Sequence, residues 1–222
     1  MNKNLWIIAN WKSNKTIAEA LDWVSYVGPR IGKKENRQVV VCPSFVDVHE
    51  VKKAIIVGNY PLLVGVQDLS PFDTGAHTGE EAARVLKDFV DLAILGHSER
   101  RENFGETPEI VAKKAEQAKL HDIIPLVCVQ NSGTPIPEGV KLVAYEPIFA
   151  IGTGNPDTPE NANSVADSLK QKLGNDMEVL YGGSVTSENL RSFLNEENIS
   201  GALIGKASLD PEEFVKIVEV SL

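Results

Sequence analysis

Eight short apolar runs, separated by stretches of helical period, constrain this chain more than any other feature. The runs are Leu5–Ala9, Gln38–Cys42, Leu62–Val66, Leu92–Leu95, Ile123–Val127, Lys141–Tyr145, Val179–Tyr181 and Ala202–Ile204. Most are continuous rather than alternating, as expected of parallel strands buried on both faces. The segments between them carry helix-start signals. Thr16-Ile17-Ala18-Glu19 reads as a capping box, with Ile17, Leu21, Val24 and Val27 behind it at helical spacing. Thr78-Gly79-Glu80-Glu81 reads as a second box ahead of Ala82, Val85, Leu86 and Phe89. Thr107-Pro108-Glu109, Thr158-Pro159-Glu160 and Asp210-Pro211-Glu212 each offer a cap residue, a first-turn proline and an acid. The final helix carries Phe214, Ile217 and Val218 on one face.

A repeated βα unit builds either a doubly wound open sheet or a closed eight-stranded barrel. Eight strands, and no GxGxxG after the first, favour the barrel. One unit is odd. Gly133, Pro135, Pro137 and Gly139 interrupt the stretch between Cys128 and Lys141, which leaves no room for an ordinary helix. The expectation is therefore an α/β fold, a (β/α)8 barrel with the fifth helix missing or much reduced. It forms one domain over residues 1–222, without a linker or composition break. The flank beside strands five and six should be thinly covered, by the Gly133–Gly139 loop or by another subunit.

Composition narrows the function classes. Hydrophobic residues make up 42% and charged residues 24% of the 222, as in a soluble globular protein. The net charge is −9 and basic residues never run beyond two together, which argues against nucleic acid as a partner. No apolar run is long enough to span a bilayer, and the N-terminal LWIIA is too short for a secretory signal. Two cysteines make no disulfide framework, so the expected compartment is the cytoplasm. The histidines, His49, His77, His97 and His121, lie far apart without HxxxH spacing, and no CxxC is present, so no metal is expected.

In such a barrel, chemistry collects at the C-terminal ends of the strands. Strand one ends in Asn10-Trp11-Lys12, and strand four in Gly96-His97-Ser98-Glu99-Arg100-Arg101. Strand six ends in Tyr145-Glu146-Pro147, strand seven in Tyr181-Gly182-Gly183-Ser184 and strand eight in Gly205-Lys206-Ala207-Ser208. Each piece alone has a bland explanation: a solvated lysine, a satisfied histidine, a paired glutamate, an ordinary glycine turn. A lysine, a histidine and a glutamate on one rim, with glycine turns after strands six, seven and eight, are harder to ascribe to chance.

The segments NWK, GHSERR followed by FGE, AYEPIFAIGTG, YGGSV and ASL resemble those of the triosephosphate isomerase family, in the family's order and over residues 10 to 208. The resemblance implies a (β/α)8 TIM barrel and a metal-free, cofactor-free isomerase of glycolysis and gluconeogenesis. It would interconvert dihydroxyacetone phosphate and D-glyceraldehyde 3-phosphate through an enediolate. The implied base is Glu146. His97 is the implied neutral electrophile, Lys12 the fixed positive charge, Asn10 its orienting partner, and Glu99 a buried carboxylate beside the lysine. Gly152, Ser184, Gly205 and the position of Lys206 match the phosphate cradle. Pro147, Ile148, Phe149, Ala150, Ile151, Gly152, Thr153 and Gly154 match the lid, which Tyr181 and Ser184 would latch. The segment from Gln67-Asp68 to Glu80 resembles a long third loop that inserts into a partner subunit and, through the threonine matching Thr78, buttresses the lysine region there, which implies a homodimer, with a tetramer possible.

Some positions depart from the family pattern. Lys206 stands where a second glycine is usual, and its ammonium is expected to point outward. Phe149 stands where tryptophan is common. Pro156, in Asn155-Pro156-Asp157, should narrow the second hinge of the lid. Cys128 resembles a packing cysteine near the active rim. Another phosphate-binding barrel enzyme, or a non-catalytic protein on the same scaffold, are the rival readings. The first lacks GHSERR and YEPxxAIGTG, and the second leaves Asn10, Lys12, His97, Glu99 and Glu146 without a purpose.

Overall fold

A computed structural model describes residues 4–150 and 154–221. Eight parallel strands close into a barrel in chain order: β1 (Leu5–Asn10), β2 (Arg37–Cys42), β3 (Leu63–Val66), β4 (Leu92–Leu95), β5 (Ile124–Val129), β6 (Leu142–Tyr145), β7 (Glu178–Tyr181) and β8 (Ile199–Ile204). Around them lie α1 (Ile17–Val27), α2 (Val48–Gly58), α3 (Ala83–Leu86), α4 (Ser98–Phe104), α5 (Pro108–Leu120), α6 (Pro159–Leu173), α7 (Leu190–Leu194) and α8 (Pro211–Val220). Every apolar run read from the sequence is a strand, with ends shifted by a few residues at most.

The continuous apolar runs follow from two cores. Trp6, Ile8, Val40, Cys42, Leu92, Ile94, Leu126, Cys128, Leu142, Ala144, Leu180 and Leu203 form one cluster inside the barrel. Their neighbours of opposite parity, such as Ile7, Val41, Leu95, Val143 and Ile204, pack outward against the helices. Parity also aims the rim. Asn10 follows Trp6 and Ile8, and Glu146 follows Leu142 and Ala144, so both side chains turn toward the barrel axis. On the outer side Trp11 meets Trp23 edge-on at 5.0 Å, and Trp23 leans on Phe214 at 5.1 Å, which ties β1, α1 and α8 together.

Most caps form as the sequence predicts. Thr16 and Glu19 make the reciprocal capping box. Thr107 accepts from the N–H of Ile110, Thr158 from that of Asn161, and Asp210 from those of Glu212 and Glu213. Thr78 does not. The helix after β3 begins at Ala83 and runs only to Leu86, without a side-chain cap. Residues 72–80 instead form an exposed loop. Its neck is closed by the Ser70 N–H donating to the Glu81 carbonyl at 2.9 Å, and the Phe72 and His77 rings stack at 4.3 Å. Backbone pairing at the neck sets the chain's course there and overrides the capping pattern.

No helix joins β5 to β6, as expected. The connecting loop covers the flank itself: Val140 is buried, Ile136 packs against the outer core, and Lys119 Nζ donates to the Glu138 carbonyl at 2.6 Å.

Below the exposed loop lies a charged quartet. Lys114, 3% exposed, donates to both oxygens of Asp68 at 2.6 and 2.7 Å and to Glu106 Oε1. Arg100 reaches Asp68 at 2.7 Å and Glu106 at 3.2 Å. It joins the end of β3 to α4 and α5. Burial holds the Asp68 carboxyl above its usual range, and Lys114 opposes that shift. Removing the lysine leaves two buried carboxylates to share the partly exposed Arg100 as their cation. Lys114→Met should lower unfolding stability by about 3–5 kcal/mol in urea titrations at neutral pH. The deficit should shrink in acid, as Asp68 protonates.

Candidate active site

A cavity of about 1040 Å³ opens where the strands end. Asn10, Lys12, His97, Glu146, Gly154, Ser184, Gly205 and Lys206 line it, so residues distant in sequence meet as the rim reading expects. A second cleft, of about 490 Å³, lies at the other end of the barrel against Leu63, Asp91 and Ile124.

Glu146 continues β6 and is 1% exposed. Its Oε2 accepts the Ser98 N–H at 3.0 Å, and its Oε1 lies 3.1 Å from His97 Nε2. His97 is the N-cap of α4, and its Nδ1 accepts the Glu99 N–H at 3.2 Å. A ring nitrogen that accepts carries no proton, so this bond assigns the neutral tautomer with the hydrogen on Nε2, directed at the carboxylate and the cavity. The turn that carries His97 is braced from behind. Gly96 sits at φ +66°, and Arg101 donates from Nε to the Gly96 carbonyl at 2.7 Å and reaches the Cys128 carbonyl at 3.3 Å.

Lys12 has an unusual backbone, with φ +54°. Such a conformation persists only where neighbours enforce it. Its N–H donates to Asn10 Oδ1 at 3.1 Å, and its carbonyl accepts from Gln67 Nε2 at 2.8 Å. Gln67 also donates to the Cys42 carbonyl at 3.1 Å. The Lys12 ammonium pairs with Glu99 Oε1 at 2.5 Å. The sequence predicts a buried Glu99; its side chain is 43% exposed, because it lies in the first turn of α4, at the rim. An ion pair so exposed contributes about 1 kcal/mol or less, so it orients the lysine more than it stabilises the fold.

Two glycines on the strand-seven turn make room for this cluster. A Cβ on Gly182 would come within 2.9 Å of Glu146 Cγ, and one on Gly183 within 2.1 Å of the Tyr181 hydroxyl. Ser184 Oγ donates to the Ala150 carbonyl at 2.7 Å and accepts from the Gly154 N–H at 3.2 Å, so it touches both flanks of the expected lid. Ile148–Ala150 form a 3₁₀ turn after Pro147, with Ile148 and Phe149 exposed and Ala150 buried. Ile151, Gly152 and Thr153, including the expected cradle glycine Gly152, lie outside the described residues. Tyr181 meets the chain just past Gly154, where its hydroxyl accepts the Asp157 N–H at 2.7 Å. Lys206 opens a 3₁₀ turn, Lys206–Leu209, without a positive φ; the residue is exposed and lines the cavity. Thr78 lies away from the cavity lining, on the exposed loop.

Gln67, Ser98 and Arg101 act here through one amide, one backbone N–H and one guanidinium. Gln67 is linked to the site by its hydrogen bonds to the Lys12 and Cys42 carbonyls, long-range contacts that a single sequence does not display.

The family model described as triosephosphate isomerase matches in two overlapping stretches, residues 5–142 and 139–221. A triosephosphate isomerase of Mesomycoplasma hyopneumoniae (strain 7448) is 38% identical, covering 96% of this chain and 97% of the relative. One from Caldanaerobacter subterraneus subsp. tengcongensis is 38% identical over 96% and 97%. One from Mesomycoplasma hyorhinis is 36% identical over the full length of both.

Burial and the neighbouring Glu146 carboxylate push the Cys128 thiol well above its usual range, and burial does the same to Cys42. Both are packing residues rather than nucleophiles. Iodoacetamide at about pH 8 should leave both unalkylated in the native protein and label both in denaturant, as read by mass spectrometry.

Proposed function

The chain belongs to the triosephosphate isomerase family, and on that premise we propose that the Asn10–Lys12–His97–Glu146 cluster performs the family's reaction. It is an intramolecular aldose–ketose isomerase that interconverts dihydroxyacetone phosphate and D-glyceraldehyde 3-phosphate. The observation that carries the residue assignment is the buried Glu146 carboxylate poised between the Ser98 N–H and His97 Nε2, with the Lys12 ammonium lining the same cavity.

The substrate's C–H is weakly acidic, and its removal leaves negative charge on the adjacent oxygen. Glu146 takes the proton. The Nε2–H of neutral His97 donates to the developing enediolate oxygen, and Lys12 stabilises its charge. That family already serves as a standard example of this division of labour, and the roles here follow it. For Glu146 to reach the carbon, its bond to the Ser98 N–H must break, and closing of the Pro147–Gly154 lid supplies the occasion. A closed lid also excludes water and keeps the enediolate from expelling phosphate.

The protein carries −9, so a phosphate dianion is not drawn in by net charge. Its attraction is local: Lys12, the backbone N–H groups near Gly152, Ser184 and Gly205–Lys206, and the N-terminal turn after β8. Lys206 contributes its N–H while its ammonium stays outside. Glu99 keeps Lys12 aimed at the cavity.

The chain acts as one barrel domain over 1–222, in the cytoplasm and as a homodimer in which the exposed 72–80 loop and Thr78 enter the partner. The free, buried cysteines suit a reducing compartment. Among the described residues, no helix is long and apolar enough to cross a membrane.

Glu146→Asp withdraws the carboxylate by one methylene and should lower kcat about a hundredfold or more in a coupled isomerase assay, with the fold intact. Wild-type turnover in that variant would remove Glu146 from the role of base. Sedimentation equilibrium should give twice the 24.2 kDa chain mass. A monomer with full turnover would refute the partner-dependent site.

A further inference from the structure

Ser184 is half-buried and touches the first flank of the lid at Ala150 and the second at Gly154, both with its single hydroxyl. Beyond the second, the chain runs into Asp157, whose side chain is buried. The Asp157 N–H donates to the Tyr181 hydroxyl at 2.7 Å. Its Oδ1 accepts the Thr158 N–H at 2.8 Å. Its Oδ2 accepts the Tyr145 hydroxyl at 3.0 Å and Asn161 Nδ2 at 2.7 Å.

A buried carboxylate is costly unless its oxygens receive hydrogen bonds, and here both do, from neutral donors. The donors belong to β6 and to the first turn of α6, and the backbone partner belongs to β7. These are rigid supports. The Tyr181 ring stacks on Phe193 at 3.9 Å, which fixes the position of its hydroxyl. Burial and Asp157 hold the Tyr145 hydroxyl far above its usual range, and Tyr181 is pushed up to about 12, so both stay protonated at neutral pH. Pro156, just before, restricts φ and brings no N–H of its own. The chain from Pro156 to Thr158 is thus clamped. Tyr145, which holds the clamp, is the residue before Glu146 on the same strand.

We propose that Asp157 is a positioning residue of the isomerase: its carboxylate fastens the distal hinge of the lid to the strand that carries Glu146, so the lid closes against a fixed end and returns the base to one place. The proposal rests on the isomerase reading of the site. It gives the Asn155-Pro156-Asp157 departure a purpose beyond the proline.

The test uses the full chain and its Asp157→Ala and Asp157→Asn variants. It reads kcat, KM, melting temperature and the partition of the enediolate. In the leak reaction, the enediolate's electron pair moves toward C3, the C3–O bond breaks and inorganic phosphate leaves. The remaining enol takes a proton at C3 to give a 2-oxoaldehyde, so released phosphate measures the leak. Asp157→Ala should lower kcat about tenfold or more, leave KM nearly unchanged and raise the phosphate released per turnover severalfold. Asp157→Asn should recover most of both. Its amide oxygen still accepts the Thr158 N–H, while the Tyr145 hydroxyl and the Asn161 amide can turn to accept from its NH₂. Wild-type kcat and partition in folded Asp157→Ala would overturn the proposal, whatever its melting temperature. So would failure of both variants to fold, which would make Asp157 a structural buttress. An inactive wild-type chain would overturn the isomerase reading and this proposal together, and only that result touches the former.

Discussion

The active rim depends on one corner, where the Glu146 carboxylate meets the start of α4. Its two oxygens engage consecutive residues, the His97 imidazole and the Ser98 N–H. Both lie at the same turn, which leaves β4 through a glycine in the left-handed region and is tied back by Arg101. The Glu99 N–H, one residue on, fixes the imidazole tautomer. Glu146 and His97 are therefore positioned by backbone geometry rather than by long side chains, which is the kind of support that holds a group within a fraction of an ångström. The barrel's inward parity delivers Glu146 to this corner, and Gly182 leaves the space it needs.

Opposite, Lys12 stands on a strained backbone that Asn10 and Gln67 enforce. Strain of this kind costs on the order of 1–3 kcal/mol and is kept where it aims a functional group. The surroundings tolerate it because the barrel is closed and filled, and the outer core runs continuously beneath the helices. An acidic protein can thus present a local positive site to an anion without any help from its overall charge.

Much of this is written plainly in the sequence. The strands are legible because burial on both faces makes them continuous, and most helix starts because a threonine or aspartate followed by proline and an acid has little other use. Thr78 misleads, since Thr-x-x-Glu is a local pattern and a strand-like neck between Ser70 and Glu81 is not. The break after β5 is legible in its prolines, whereas the way Ile136 and Val140 fold back over the flank is a tertiary matter. The charged rim residues stand out by type and position. Gln67, Ser98 and Asp157 do not, because their contributions are long-range hydrogen bonds between ordinary polar groups. Glu99 is legible as the lysine's partner but not in its exposure, which depends on where α4 begins.

If Glu146 moves a proton between two carbons, its carboxylate must accept that proton from the substrate. Conversion of dihydroxyacetone phosphate in D₂O, with NMR reading the aldehyde product, checks this. The wild-type chain should give product with deuterium at C2, and Glu146→Gln, whose amide cannot accept the proton, should give almost no conversion. A folded Glu146→Gln variant that turns over as fast as wild type would show that Glu146 is not the base.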